Sequence, residues 1–400
     1  MEEIAALERA LRRAAPHTLP EVVRAALAER YGAGQVTLRM ADYAMRSLQD
    51  VEAPAWVTEP VEPVPVHGSP QGRAFGSQEP YVLGDPETGP VAVHLPVTIR
   101  GDRLGVLSVE LPRHTDLRST LPELQQVCDA LGHEILVAER DTDVYVLARR
   151  ATRLTLAAEM QWQLLPGRSC TRPEFALGAQ LEPAYAVFGD NYDWSVSSDH
   201  LTLTVANGMG EGIDAALLTN LAVNALRNAR RAGLDLAGQA TLADQAVYAQ
   251  YRGRAHVSVL LLRFSLSTGE VEAVDAGSPR LWRLRDRTVE ACPFDAQLPL
   301  GMFEDTVYTP EHFTVLPGDR LLFASDGVYD AVSGSGESYG ERALPRALTA
   351  TRLLPPTQVP SAVLRALSEH HGEPPLDDDA LVVCLDWYGR GRPDGAGAAG

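Results

Sequence analysis

Alternating apolar and polar positions mark several short strands in the first third of the chain. The runs are QVTLRM from Gln35, PVAVHLPVTIR and RLGVLSVEL, and Gly101-Asp102 separates the last two. Such alternation is typical of strands with one buried face, and a Gly-Asp pair between two of them indicates a hairpin. Helical spacing precedes the strands, in MEEIAALERALRR and again in residues 20–30. We predict an N-terminal helix in residues 1–17 and an α+β domain in residues 18–140.

A second pattern follows, in which apolar residues recur at helical spacing from Leu121 to Leu165. It predicts one long helix or two in line, with residues 141–166 linking two domains. Pro166 and Gly167 end the pattern, since proline cannot continue a helix and glycine commonly follows one. The apolar stripe suits pairing with a second copy, so we predict a homodimer through the linking helix; packing against its own domain is the alternative.

The second half combines strand pairs with two long helical patterns, in residues 212–232 and 236–252. Antiparallel strands with helices in blocks predict a layered α+β domain, here residues 167–388. The low-complexity residues 389–400, GRGRPDGAGAAG, predict a disordered tail.

Length and charge narrow the classes of function. A chain of 400 residues suits two domains. The net charge of −18 opposes nucleic acids and anionic membranes, so neither is expected as a partner. No signal peptide pattern and no apolar run of membrane-spanning length is evident, which predicts a cytoplasmic protein. The four cysteines lie far apart without a C-x-x-C pair, which indicates neither a zinc site nor a disulfide framework.

Carboxylates next to glycines lie where several strands should end. They are Asp190 after Gly189, Asp326 before Gly327, and the run Asp377-Asp378-Asp379; a further strand ends at Asn207-Gly208. Oxygen ligands of this kind suit Mg²⁺ or Mn²⁺, and glycine lets a backbone carbonyl turn toward the ion. Taken singly, each is more often an ordinary turn.

In this order, the same stretches resemble the SpoIIE/RsbU branch of the metal-dependent (PPM) protein phosphatases. The resemblance covers about residues 155–388 and is carried by AAEMQWQLLP, LEPAYAVFGDNYDW, VANGMGEGIDAALL, AGSPRLWRL, LPGDRLLFASDGVYDAV and DDDALVVCL. It implies a layered αββα phosphatase domain. The first domain, with RAFGSQEPYVLGD and GPVAVHLPVTIRGDRLGVLSVELP, looks like a GAF domain, which implies a sensor that binds a small molecule or a partner.

The phosphatase resemblance implies two divalent cations, Mn²⁺ or Mg²⁺, and an attacking water between them. Carried over by position, the catalytic and metal-binding residues are Asp190, Asp326 and Asp378, with the carbonyl of Gly208. Asp379 is a neighbour of Asp378 or its substitute, because the triple aspartate leaves the register open. Asp193 is a candidate supporting residue.

Asn207 stands where the family has the aspartate that bridges both cations. An amide oxygen can still coordinate, so Asn207 stays among the predicted catalytic and metal-binding residues, but it is neutral and a poor bridge. Two unit charges about 4 Å apart interact by about 4 kcal/mol at an effective dielectric near 20. Phe188, Glu211 and Ser278 also depart from the pattern. Glu211 would restore charge if it faced the site, although a solvent-facing turn residue is the more common case.

Two accounts of the function follow. In the first, the chain hydrolyses phosphoserine or phosphothreonine on a regulatory protein, which in this branch is typically an anti-sigma-factor antagonist, under control of the GAF-like domain. In the second, it is a pseudophosphatase or scaffold that binds a phosphoprotein regulator without turnover, because Asn207 replaces the bridging aspartate.

Overall fold

A computed structural model of the chain describes residues 2–51, 62–183, 187–277, 279–372 and 378–390. The chain is divided into two compact units, Met1–Arg153 and Leu154–Gly400. None of the helices in these ranges has the length and apolar composition needed to span a bilayer. Most of the predicted tail, residues 391–400, lies outside the described residues.

The first unit is one antiparallel six-stranded sheet with helices packed mainly on one face. Its elements are α1 Glu2–Arg13, α2 Leu19–Tyr31, β1 Val36–Ala41, β2 Ser47–Asp50, β3 Val64–Pro65, α3 Pro70–Ser77, β4 Tyr81–Leu83, β5 Val91–Ile99, β6 Asp102–Leu111, α4 Leu117–Ala138 and α5 Val144–Ala148. The strand order is β3-β2-β1-β6-β5-β4. Alternate residues of β1, β5 and β6 form one core with α1, α2, α4 and α5.

The predicted hairpin is confirmed, because β5 and β6 pair in antiparallel fashion around the turn at Arg100-Gly101. The predicted N-terminal helix is also present as α1, and its Leu11 is buried in the core of the first unit. The mixed α and β composition of this unit agrees with the predicted class. Its likeness to a GAF domain stays a prediction.

Residues 141–166 do not form one continuous helix, which was one of the two predicted forms of the linking region. The helical pattern is divided among α4, α5 and α6 Leu156–Leu164. Tyr145 of α5 is buried in the first core, and its hydroxyl donates to the carbonyl of Pro16 at 2.7 Å, so α5 folds onto the first unit. Thr155 then starts a new helix, because its Oγ1 accepts a hydrogen bond from Ala158 N at 3.2 Å. The boundary between units therefore precedes α6 rather than following it.

The second unit contains two sheets and the remaining helices. Its other elements are β7 Ser169–Thr171, β8 Phe175–Glu182, β9 Asp190–Val196, β10 His200–Gly208, α7 Gly212–Arg231, α8 Leu236–Tyr251, β11 Val257–Ser265, β12 Glu270–Ala276, β13 Arg280–Arg285, β14 Thr288–Cys292, β15 Glu311–Thr314, β16 Arg320–Ala324, α9 Asp326–Tyr329, α10 Leu344–Ala350, α11 Val359–His371 and β17 Ala380–Trp387. The two long helices predicted from periodicity are confirmed as α7 and α8.

These elements form four layers, as the predicted αββα domain requires. The first sheet has the order β15-β12-β11-β10-β9 and the second β14-β13-β16-β17-β8-β7. One apolar core lies between the two sheets. A second core joins the first sheet to α7 and α8, and a third joins the second sheet to α9, α10 and α11. Both faces of each sheet are covered, which explains why their central strands are almost wholly apolar.

Candidate metal centre

Asp190 and Asn207 lie opposite each other on neighbouring strands, at one end of the first sheet. They are register partners where β9 pairs with β10. Gly189 precedes Asp190 with a φ of 110°, and a Cβ atom there would lie 1.9 Å from the carbonyl oxygen of Gly208. Only glycine permits this approach, which brings the Asp190 backbone against the Asn207-Gly208 turn.

Asp326, Asp378 and Asp379 lie together at one end of the second sheet. Asp326 follows β16 and opens α9, and the other two precede β17, the antiparallel neighbour of β16. A Cβ atom on Gly327 would lie 2.0 Å from the carbonyl oxygen of Asp379, so the two segments touch through their backbones. Glycine is therefore required at position 327 by close backbone packing against Asp379, and not only by the turn.

Asp379 joins the two sheets through hydrogen bonds to the backbone. Its Oδ2 accepts from Phe188 N at 2.9 Å and from Asp190 N at 3.3 Å. The neighbouring Asp378 is half-buried, and its pKa is raised by burial and by the charge of Asp326. This geometry favours Asp378 as the ligand and Asp379 as the residue that positions Asp190, which stays a prediction.

Asn207 contacts the opposite sheet directly. Its Nδ2 donates to Asp326 Oδ1 at 2.5 Å, and Gly327 N donates to the same oxygen at 3.1 Å. An amide can donate in this way, whereas an ionised aspartate cannot. Asn207 and Asp326 therefore form a neutral donor and its acceptor, whereas an aspartate at position 207 would place two carboxylates together.

Negative charge is concentrated around Asp190. Its side chain is 2% exposed, and burial together with the charges of Asp379, Asp326 and Asp378 raises its pKa well above the usual range. Burial also raises the pKa of Asp379 to about 7, although the two backbone donors act in the opposite direction. Such shifts mark sites where carboxylates are held together against their mutual repulsion.

Two supporting residues were not predicted from the sequence. Gln161 of α6 is buried, and its Nε2 donates to the carbonyl of Asp190 at 3.0 Å. Thr219 of α7 donates through Oγ1 to the carbonyl of Gly189 at 3.0 Å. Each is a single polar residue among the apolar residues on the buried face of its helix. A polar residue at such a position is the sequence signal that could have identified them.

The sequence also singled out Asp193, Glu211 and Ser278. Asp193 is buried against α7, where it forms ion pairs with Arg227 at 2.8 Å and Arg230 at 2.9 Å. Glu211 is exposed at the start of α7 and makes no side-chain capping bond. Ser278 lies outside the described residues.

The donor set fits a cation at Asp190 better than one between Asn207 and Asp326. Asp190 Oδ2 is buried and has no hydrogen-bond partner among the described residues, so a cation would satisfy it. The amide hydrogens of Asn207 instead point to the oxygen that a second ion would need. Within the described ranges, no three His, Cys, Asp or Glu side chains already form a closed ligand set.

Comparison with known proteins assigns a family to this part of the chain. Residues 197–388 match the family described as Stage II sporulation protein E (SpoIIE). Protein IcfG of Synechocystis sp. is 22% identical over 254 residues, which are 56% of this chain and 40% of IcfG. The aligned region thus spans about two fifths of the curated relative.

Two solved structures are similar to the C-terminal unit. The SiaA-PP2C domain of Pseudomonas aeruginosa matches with a TM-score of 0.50 and 22% identity, over 58% of this chain and 94% of that domain. A structure of the catalytic domain of the serine/threonine phosphatase PstP, in complex with two manganese ions, matches with a TM-score of 0.39 and 19% identity, over 54% and 99% of the two chains. Residues 197–388 are thus similar to the SpoIIE family, and the C-terminal unit has the fold of the SiaA-PP2C domain.

Proposed function

We propose, from the SpoIIE-type domain at residues 197–388, that the chain hydrolyses phosphoserine or phosphothreonine on a regulatory protein with the help of Mn²⁺ or Mg²⁺. The observation that carries this proposal is the meeting of Asp190, Asp326 and Asp378 from the ends of two sheets, with the pKa values of Asp190 and Asp378 raised. Buried carboxylates that repel one another form a site for a hard cation.

Asp190, Asp378 and the carbonyl of Gly208 would hold the first cation, and Asp326 would share in a second. Bound cations activate a water molecule and neutralise charge that develops on the phosphoryl oxygens. Asp379 and Gln161 hold the backbone of Asp190 in place from two sides. The second position is the weaker of the two, because Asn207 supplies no charge to it.

A second candidate function is binding of a phosphoprotein without turnover. The hydrogen bond from Asn207 to Asp326 favours it, because this bond satisfies Asp326 without a cation. Both functions use the same surface and the same partner class. They differ in whether the cations complete the site.

The remaining features of the proposal concern control and assembly. We propose that the N-terminal unit is a GAF-like sensor that takes a small molecule or a partner, and that the protein acts in the cytoplasm. An anti-sigma-factor antagonist is the proposed substrate class. The homodimer stays a prediction, and the described helices that would carry it are α4, α5 and α6 rather than one continuous helix.

The deciding experiment is phosphate release from p-nitrophenyl phosphate and from a phosphoserine peptide, with and without Mn²⁺. The natural chain and an Asn207→Asp variant are compared side by side. Mn²⁺-dependent release by the natural chain supports the enzyme. Release by the variant alone supports binding without turnover, and release by neither contradicts the proposed site.

A further inference from the structure

Three apolar side chains are exposed beside the candidate metal centre. Met209 is 50% exposed, Ile213 40% and Leu217 47%. Met209 directly follows Gly208, and the other two are one helical turn apart near the start of α7. We call these three residues the α7 patch. The three are close together along the chain, and clustered exposed apolar side chains mark interaction sites more often than scattered single ones do.

The position of the α7 patch along its helix is informative. Helix α7 is covered by α6, α8 and the first sheet, which leaves one narrow outward stripe. Near the site this stripe carries Ile213 and Leu217, whereas its distal half carries Asn224 and Asn228. Exposed helix positions are ordinarily polar, as Asn224 and Asn228 are. The exposed apolar residues Ile213 and Leu217 are therefore the unusual ones, and a binding role would explain them.

Hydrogen bonds join the segments that carry the patch to β11 and to the loop before Asp190. Met209 N donates to the carbonyl of His256 at 3.2 Å, which holds the turn against β11. Thr219 Oγ1 donates to the carbonyl of Gly189, next to Asp190, at 3.0 Å. A partner seated on the patch is therefore positioned relative to Asp190 by a rigid part of the fold.

Charge around the patch identifies the kind of partner. Glu211 and Asp214 are exposed at its rim, Asp326 and Asp378 are half-buried beyond it, and the whole chain carries a net charge of −18. Charges on an interface rim are matched by opposite charges on the partner, which steer its approach. A phosphorylated segment approaching this surface needs basic neighbours to offset the repulsion.

We propose that the α7 patch docks the segment of the phosphorylated regulatory protein that flanks its phosphoserine or phosphothreonine, and that this segment carries apolar residues among basic ones. This inference rests on the proposed function for the partner's phosphorylated state. It adds which residues of this chain bind the partner and which types of residue the partner segment carries.

The test measures binding of fluorescent phosphoserine peptides to the full chain by anisotropy, without reference to turnover. One peptide carries leucines and lysines beside the phosphoserine, and a second replaces the lysines with glutamates. The natural chain is compared with the double variant Ile213→Ser/Leu217→Ser. It is also compared with the control Leu353→Ser, at a leucine that is 85% exposed in the turn after α10. Circular dichroism checks that each variant is folded.

The expected result is that the double variant loses at least about tenfold in affinity for the lysine peptide, while the control variant binds as the natural chain does. The glutamate peptide binds more weakly to all three proteins. Equal binding by the double variant and the natural chain, equal losses in both variants, or no binding of the lysine peptide would overturn the proposal.

Light scattering tests a second copy of the chain as the alternative occupant. A dimer that the double variant alone converts to monomer would make the patch a self-interface and overturn the proposal. Phosphate release from p-nitrophenyl phosphate is measured separately. If release is absent but peptide binding depends on Ile213 and Leu217, the docking surface stands and only the proposed hydrolysis fails.

Discussion

Asn207 Nδ2 donates a hydrogen bond of 2.5 Å to Asp326 Oδ1, and this contact joins the ends of the two sheets across the candidate metal centre. The donor replaces a carboxylate expected from the SpoIIE-type pattern. In its place the acceptor oxygen is satisfied by protein atoms, since Gly327 N donates to it as well. Whether Asp326 needs a cation to satisfy this oxygen therefore depends on the side chain at position 207.

We predict that Asn207→Asp makes the C-terminal unit respond more strongly to Mn²⁺ than the natural chain does. In EDTA the variant loses a hydrogen bond and places two carboxylates together, so its stability falls by about 1 to 3 kcal/mol. Mn²⁺ restores that stability, and the variant binds Mn²⁺ at least about tenfold more tightly than the natural chain does. Thermal unfolding in EDTA and in Mn²⁺ measures both effects.

The matched control for this variant is Asn224→Asp, an exposed position on α7 that receives the same change in charge. It should respond to Mn²⁺ as the natural chain does. An equal Mn²⁺ response in both variants would mean that the effect comes from net charge and not from Asn207.

Asp379 is predicted to act through the backbone of Asp190 and Phe188. Asp379→Ala leaves two buried N–H groups without an acceptor, whereas Asp379→Asn keeps one acceptor oxygen in the same place. The alanine variant should be less stable than the asparagine variant by about 1 to 3 kcal/mol. Urea unfolding of both variants measures the difference, and equal stabilities would rule out the clamping role.

Asp193 is predicted to be structural, not a metal ligand. Its side chain is 5% exposed and paired with Arg227 and Arg230, so Asp193→Ala should cost about 2 to 4 kcal/mol of stability. The Mn²⁺ response of the folded variant should not change. Glu272→Ala, which breaks the half-exposed pair with Arg263, is the control and should cost less than about 1 kcal/mol. A lost Mn²⁺ response in folded Asp193→Ala would return this residue to the metal site.

The sequence predicted local structure where one periodicity decided it, as in α7, α8 and the β5–β6 hairpin. It failed in the linking region, where helical spacing continued through α4, α5 and α6 without a strong breaker. The break there comes from a tertiary contact, the burial of Tyr145 against the first unit. The capping residue Thr155 was the one local signal available.

Residue types at the candidate site were predictable, but their pairing was not. Asn207 and Asp326 are 119 positions apart, and Phe188 and Asp379 are 191 apart, so no local pattern encodes either contact. Separating the roles of Asp378 and Asp379 requires knowing which one faces the loop before β9. Sheet pairing supplies that information, because it fixes which strand ends meet.

The last prediction concerns pH and Asp275 of β12. Burial raises the pKa of Asp275 to about 6, although its hydrogen bond from Gly277 N acts in the opposite direction. The unfolded chain releases this proton near pH 4, so stability is lost as the pH rises from about 4 to about 6 and is constant above that. Asp275→Asn lacks this titration and should gain stability over the natural chain across that range, by on the order of 1 kcal/mol. Urea unfolding at about pH 5 and about pH 8 measures the gain, with the exposed Asp199→Asn as control. A difference between natural and variant chains that does not grow with pH would show that Asp275 is not the group responsible.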